Sequence, residues 1–405
     1  MSLGSISTNN GSPRVLLCSK SGSLGGVELR MALEARFLKR IGYAPTIAIN
    51  MHPPLQNWAE GLVQENIPVL DFNPPPFMER WRWRYINKFR AKYSSGRILR
   101  HLRPELIHVF LPWTNWGGTR LWLAHHYGIP TVISVRNAFG GGSELWHPWH
   151  ARHYKEAFRS VRGVYAISPS ALRDFLNFFG GFLRPNTMTE VIYNGVDTKR
   201  FEVGIDSRAE ARKKLGLPRE SLVMGTVGRL EGQKQPESIL SVFAELKRRF
   251  PALHLVFVGS GSLEQKVRRQ AEQLGVVQSV VLTGFQDRVE KLLPAFDLFV
   301  MFSIREGFGT ATAEAMASGL PVVGTDVPGT HDILSKSNAG ILVPLNDQQK
   351  TVEACARLLA NEKLRKEMGT VAKEEAVQKY GIKDWEGRIL AFYEHALHKS
   401  NGGSS

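Results

Sequence analysis

The sequence predicts two α/β domains, each a doubly wound parallel sheet with helices on both faces. Three observations lead there. Short apolar runs of strand length alternate with amphipathic segments of helix length along the chain, the pattern of repeated βα units whose crossovers cover both faces of a sheet. At 405 residues the chain exceeds what one ordinary core organises. A turn-rich passage near residue 200 divides the alternation into two series.

The elements follow in order. Residues 1–13 begin with the small, polar stretch MSLGSISTNNGS, which lacks the features of a signal peptide and is expected to be disordered. RVLLCSK reads as the first strand, and the apolar residues of GSLGGVELRMALEARFLKRIGY recur at helical spacing. PTIAIN, IPVLDF, LIHVFLP, PTVISVRN and VYAIS read as further strands of a first domain, residues 14–199. VIYNGVDTKRFEV, with Asn194-Gly195, is the linker, and the charged helix DSRAEARKKLGLP follows it. VMGTVGRL, HLVFVGS, VVLTGF, LFVMFS, PVVGTD and GILVP supply the strands of a second domain, residues 200–382. WEGRILAFYEHALHKS is an amphipathic last helix, and the NGGSS tail is expected to be disordered. In such folds ligands bind beyond the carboxyl ends of the strands, so a cleft between the two domains is the expected site.

Bulk properties narrow the function. The longest apolar runs are too short to span a bilayer. Cys18 and Cys355 are far apart and form no metal or redox spacing. A cytoplasmic protein is expected. Residues 1–200 hold 25 Lys and Arg against 12 Asp and Glu, whereas the remainder holds 27 against 25. The excess of positive charge therefore asks for an anionic partner of the first half.

The densest candidate site is FSIREGFGTATAEAMASGLPVVGTDVPG, from Phe302 to Gly329. Glu306 follows a strand, Gly307 and Gly309 allow close backbone approach, and the amides that open the next helix form an anion site. Glu314, about a turn into that helix, is placed to accept hydrogen bonds from vicinal hydroxyls, as carboxylates do with ribose. A lone glutamate on a helix is commonly solvated and a lone GxG is commonly a turn, but the strand, turn and helix context sets this group apart. In VMGTVGRLEGQKQPES the strand ends at Gly228, and Arg229 and Lys234 follow as two cations suited to a diphosphate. Alone, they would read as a solvated basic loop.

GTVGRLEGQKQPESIL and REGFGTATAEAMASGLPVVGTDVPG together resemble the signature of glycosyltransferase family 4, retaining sugar transferases of the GT-B fold. SLGGVELRMALEA, VIYNGVDTKRF, VFVGSGS and VVLTGFQDRVEKLLPAFDLFV extend the resemblance over essentially the whole chain. The resemblance implies two Rossmann-like domains facing across a cleft, with the acceptor on the first and the donor on the second. It also implies that helix 383–399 returns to the first domain. It implies that Arg229, Lys234 and Glu306 act at the reaction centre, the cations on the donor diphosphate and Glu306 on the sugar hydroxyls. The amides of Phe308, Gly309 and Thr310 would meet the distal phosphate, Glu314 the ribose, and Phe285 and Gln286 the base, while Gly25 and Gly26 would close over the phosphates. Fixed cations and helix-start amides stabilise the departing diphosphate without a metal, and the sequence has no Asp-x-Asp. No cofactor or divalent ion is expected beyond a nucleotide sugar, taken to be UDP-linked.

Many relatives carry a histidine after the strand equivalent to PTVISV, where this chain has Arg136-Asn137, so that pair is the candidate for the reaction centre or acceptor side. From Arg80 to Arg103 there are nine Lys and Arg and no acid, interleaved with Trp81, Trp83, Tyr85, Phe89 and Tyr93. Rings beside cations suit an anionic membrane surface or a lipid-linked acceptor; a solvated face with its rings in the core, or single-stranded nucleic acid, would use the same composition. His147, His150 and His153 drift around a helix interrupted by Pro148 and are read as packing or acceptor contacts, not metal ligands. His108 is expected near the cleft.

The sequence therefore reads as a metal-independent, retaining glycosyltransferase. It would move a hexose or N-acetylhexosamine to a lipid-linked or envelope polysaccharide acceptor at the inner membrane face, with no nucleic-acid partner. The alternatives are a nucleotide-sugar epimerase of the same fold and a basic nucleic-acid-binding protein.

Overall fold

Two parallel sheets organise the chain, seen in a computed structural model that describes residues 11–20, 24–78, 83–112, 117–138, 148–202 and 207–398. Residues 1–10 and the NGGSS tail, where disorder is expected from the sequence, lie outside the described residues. The chain divides into two compact units. Unit one runs through Ile192 and takes up the chain again from Glu386; unit two is Tyr193–Trp385. The sequence reading put these transitions near residues 200 and 383. The second falls inside one continuous helix, Ile382–His398.

Unit one has seven strands: β1 (Arg14–Cys18), β2 (Ala44–Ile49), β3 (Val69–Asp71), β4 (Leu106–Leu111), β5 (Thr131–Val135), β6 (Val161–Ala166) and β7 (Met188–Val191). They pair in parallel in the order β3-β2-β1-β4-β5-β6-β7. Every residue of β4 and β5 is buried, as expected of strands covered on both faces. β7, whose sequence is MTEV, is an edge strand that apolar periodicity did not single out, because it is only partly buried. The core gathers Leu16, Val109, Ile133, Phe158 and Phe175 around the sheet, each contributing about 1.5–3 kcal/mol on burial.

Unit two has six strands: β8 (Leu222–Val227), β9 (Leu253–Val258), β10 (Val280–Leu282), β11 (Leu298–Met301), β12 (Val322–Thr325) and β13 (Gly340–Val343). Their order, all parallel, is β10-β9-β8-β11-β12-β13. Caps of the expected kind start its helices: Asp347 accepts from the Lys350 amide at 3.0 Å and Asn361 from the Leu364 amide at 2.9 Å. Among the described residues no helix is long and apolar enough to cross a membrane.

Candidate active site

The order of strands in unit two reverses between β8 and β11. The chain builds β9 and β10 on one side of β8, then returns to lay β11, β12 and β13 on the other. At such a switch point the loops leaving two neighbouring strands diverge and open a crevice. The loop after β8 carries Gly228, Arg229 and Lys234; the loop after β11 carries Glu306 through Thr310. Topology thus gathers the residues that the sequence had marked in two separate stretches.

Lys234 is the hinge of this arrangement. Gln235, next to it, holds a left-handed backbone at φ 48° and starts the helix Pro236–Arg249, a conformation uncommon outside glycine. A Cβ added at Gly228 would lie 3.3 Å from the Lys234 Cε, so the lysine stem runs along the Gly228 backbone. Its ammonium forms an ion pair with Glu306 Oε1. The Ser303 hydroxyl donates to the same oxygen at 2.8 Å. Glu306 is 7% exposed, and its Oε2 has no hydrogen-bond partner among the described residues. Both fixed bonds therefore fall on one oxygen. Thr325, at the end of β12, donates to the Ser303 carbonyl at 2.5 Å, while Gln233 donates to the Arg305 carbonyl at 2.8 Å and accepts from the Ile304 amide at 2.9 Å. These bonds stitch the two loops together.

The glycine turn is held just as closely. A Cβ at Gly329 would stand 2.8 Å from the Phe308 amide nitrogen and 2.9 Å from the Glu306 carbonyl oxygen, so only glycine lets this backbone lie against the turn. Gly309 has φ 86° and immediately precedes the helix Thr310–Ala317. The first amides of that helix have no intrahelical partner and carry the positive end of its dipole. The ring of Phe308 is buried between Tyr193, 5.6 Å away, and Tyr380, 5.1 Å away. Its side chain therefore belongs to the core. Thr310 accepts from the Asn194 side chain at 3.1 Å. Glu314 is half-buried on the same helix.

At the edge of the sheet, Phe285 follows β10 and is 72% exposed, and Gln286 donates to the Thr283 carbonyl at 3.1 Å. Arg229 is exposed and forms no ion pair among the described residues. Nearby Glu231 accepts from the Ser262 hydroxyl at 2.7 Å and from its amide at 2.9 Å. Those two bonds, with the Arg229 charge behind them, hold the Glu231 carboxyl below its ordinary pKa. An exposed apolar ring, two cations, a helix start and a half-committed carboxylate therefore lie beyond the carboxyl ends of one sheet. The sequence reading missed Ser303, Thr325, Gln233 and Asn194. Asn194 had a signal, its place in Asn194-Gly195, but was read only as a turn.

Comparison with known proteins identifies the family. The family described as Glycosyl transferases group 1 matches residues 207–375, and Glycosyltransferase Family 4 matches residues 24–200. D-inositol 3-phosphate glycosyltransferase of Corynebacterium urealyticum is 31% identical over 393 residues, covering 92% of this chain and 91% of the relative. The chain belongs to glycosyltransferase family 4. An uncharacterized glycosyltransferase of Methanocaldococcus jannaschii is 29% identical over 302 residues, 72% of this chain and 76% of the relative. Among solved structures, the Anabaena protein HepE in complex with UDP and glucose superposes with a TM-score of 0.76 at 20% identity, over 94% of this chain and 99% of that one. The fold is that of GT-B glycosyltransferases. This family 4 member is an enzyme that transfers a sugar from a nucleotide-sugar donor.

In unit one of this glycosyltransferase the marked residues are more scattered. Gly25 precedes the helix Gly26–Arg40, and its amide donates to Glu28 of the same helix at 3.0 Å. Arg136 follows β5, is 9% exposed, and stands 5.8 Å from the Phe110 ring centroid. Asn137 is half-buried, and its Oδ1 is buried with no hydrogen-bond partner among the described residues. His108 is fully buried within β4, with Nδ1 2.9 Å from Glu34 Oε1. It is a core residue, whereas the sequence reading placed it near a cleft. His153 is also buried, 3.2 Å from Lys88 Nζ and packed edge-on to Phe77; His147 and the side chain of His150 lie outside the described residues. The basic aromatic stretch forms the helix Arg84–Leu102, although Arg80, Trp81 and Arg82 lie outside the described residues. Its outward stripe is Ile86, Phe89, Arg90, Tyr93, Arg97 and Arg100, all exposed, while Ala91, Ser95 and Leu99 face the core. Its rings face outward, contrary to the alternative that would put them in the core.

Proposed function

We propose that this enzyme transfers a hexose or N-acetylhexosamine from a UDP-sugar, with retention of configuration and without a divalent metal, to a lipid-linked or envelope-polysaccharide acceptor. The observation that carries the reading is the Lys234–Glu306 pair at the switch point, with one carboxylate oxygen left over and a helix start beside it. In this reading Arg229 and Lys234 take the diphosphate and the amides of Phe308, Gly309 and Thr310 take its distal phosphate. As the bond from the sugar to phosphate breaks, negative charge grows on the diphosphate, and each donor already aimed at it is worth about 2.7–4 kcal/mol. Lys234 can then act as the stabilising cation in place of a metal. Oε2 of Glu306 takes the sugar hydroxyls, Glu314 the ribose and Phe285 with Gln286 the base. The choice of uridine follows the family resemblance, and the UDP bound by HepE is consistent with it.

Arg136 and Asn137 stand where many family members have histidine, and the unpartnered Asn137 Oδ1 suits a sugar or acceptor hydroxyl. The outward rings and cations of the helix Arg84–Leu102 suit peripheral contact with an anionic membrane, where each cation near the surface adds about 1 kcal/mol. The test is product formation in EDTA from labelled UDP-hexoses and UDP-N-acetylhexosamines, with and without lipid-linked acceptors, and the product anomer read by NMR. Metal-free transfer that keeps the donor's anomeric configuration supports the reading. Sugar conversion without acceptor would instead identify an epimerase, and an absolute metal requirement would sink the proposed role of Lys234.

A further inference from the structure

Unit one contains a cavity of about 830 Å³ lined by none of the residues assigned above to sugar transfer. It lies at the amino ends of the strands: Arg14 begins β1, Glu105 immediately precedes β4, Pro130 immediately precedes β5, and Arg162 is the second residue of β6. Arg136 and Asn137 follow the carboxyl end of β5, so the cavity is at the opposite edge of the same sheet. Doubly wound sheets bind their usual ligands at the carboxyl edge, and this cavity falls outside that rule.

Its charge is unbalanced. Arg14, Arg100, Arg103 and Arg162 line it against the single carboxylate of Glu105. Arg14 is already engaged, donating from Nε to the Arg103 carbonyl at 2.8 Å and approaching Glu105 at 3.6 Å. Arg162 is engaged too, donating to the Ala396 carbonyl at 2.6 Å near the end of the last helix; burial, then the neighbouring charge of Arg184, lower its pKa. Arg100 lies 5.7 Å from the Tyr127 ring centroid and donates to the Tyr127 hydroxyl at 3.4 Å. Neither Arg100 nor Arg103 has a carboxylate partner among the described residues. Arg103, moreover, ends its helix at φ 46°, a left-handed position where glycine is usual. Glu394, exposed on the last helix, acts on Tyr43 at the cavity wall, and its charge does not reach an ion pair with either arginine.

A concave site that gathers like charges focuses its potential on a counter-ion, and planar guanidinium forks match a phosphate group bidentately. Leu99, Ile129, Tyr43 and Leu397 make the remaining wall apolar or aromatic. We propose that this cavity binds a phosphate ester bearing an apolar group, with the phosphate on Arg100 and Arg103 and the apolar part against Leu99 and Ile129. A membrane phospholipid and a soluble phosphorylated compound share that chemistry.

The experiment is calorimetric titration in the Lys234→Ala background, which weakens the proposed phosphate site of unit two. The probes are inorganic phosphate and dihexanoyl phosphatidic acid below its micellar concentration, titrated against the parent, Arg100→Gln and Arg103→Gln. Saturable binding of either probe, weakened about tenfold by each substitution, supports the site. If phosphate alone suffices, the anion is the determinant; if only the lipid binds, its acyl chains are part of the determinant. No saturable binding of either probe at millimolar concentration, or binding that neither substitution alters, overturns the proposal. Both arginines are exposed, so melting temperatures should stay within a few degrees of the parent. Should a glutamine variant fail to fold, Arg100→Lys keeps the charge but loses the fork, and affinity for the probe equal to the parent's would equally overturn the bidentate site. Failure here leaves the nucleotide-sugar reading of unit two intact.

Discussion

Glu34 in unit one and Glu306 in unit two are both buried glutamates paired with a basic side chain, yet they do different work. Glu34 is 1% exposed and uses both oxygens: Oε1 accepts from the Tyr393 hydroxyl at 2.6 Å and lies 2.9 Å from His108, and Oε2 accepts from the Tyr165 hydroxyl at 3.1 Å. Glu306 receives Lys234 and Ser303 on one oxygen only, at the carboxyl end of its strand and beside a helix start. A carboxylate held on both oxygens inside the core is a strut. One held on a single oxygen, at a switch point, is the candidate ligand site. Glu34 ties the last helix, through Tyr393, to β4, β6 and the helix Gly26–Arg40. Burial alone would push its carboxyl up in pKa, but the charge and hydrogen bond of His108, the bond from Tyr393 and the Arg136 charge outweigh it, so the net shift is downward.

The sharpest way to break this contrast is Glu34→Ala, which strands two buried hydroxyls and an imidazole. It should cost about 3–5 kcal/mol of stability, measured by denaturant unfolding, while the folded fraction keeps its nucleotide affinity. Lys234→Ala should do the reverse. Turnover should drop about 10²–10³-fold, the equivalent of about 2.7–4 kcal/mol, with a smaller loss of stability than Glu34→Ala, because Lys234 is partly solvated. Tyr393→Phe removes the hydroxyl from Glu34 and His108 and should cost about 1–3 kcal/mol; an unchanged melting curve would refute the strut. Acid unfolding sharpens the same point. The folded carboxyl of Glu34 sits below its ordinary value of 4.5, so its contribution is complete above that value and drains away as pH falls through the folded pKa. Below pH 4.5 wild type should therefore lose stability that Glu34→Gln, already lower at neutral pH, has no carboxylate left to lose. The smallest effect is expected for Ser303→Ala, which loosens Glu306: kcat/KM should fall by roughly tenfold, with recovery in Ser303→Thr, while melting temperature barely moves.

The same contrast explains what the sequence could disclose. Glu306, the glycine turn and Glu314 were legible because they lie within nine residues of one another in a strand, turn and helix context. Arg229 and Lys234 were legible only as a second local stretch, and their meeting with Glu306 follows from β8 and β11 being neighbours. The Glu34 strut was not legible. Its members come from residues 34, 108, 165 and 393, and no local pattern announces a contact across most of the chain. Nor was the outward orientation of Phe89 and Tyr93, since the helical period alone leaves open which face is covered. The arginine-lined cavity is hidden for the same reason, being assembled from the starts of several strands.

The most direct measurement of the donor site is calorimetric titration with UDP and GDP in EDTA, comparing wild type with Lys234→Ala. Metal-free UDP binding is expected, with weaker GDP binding and loss of UDP affinity of at least tenfold in the variant. Failure of both nucleotides to bind, or UDP affinity that Lys234→Ala leaves untouched, would contradict the assignment of the Lys234–Glu306 crevice as the donor site.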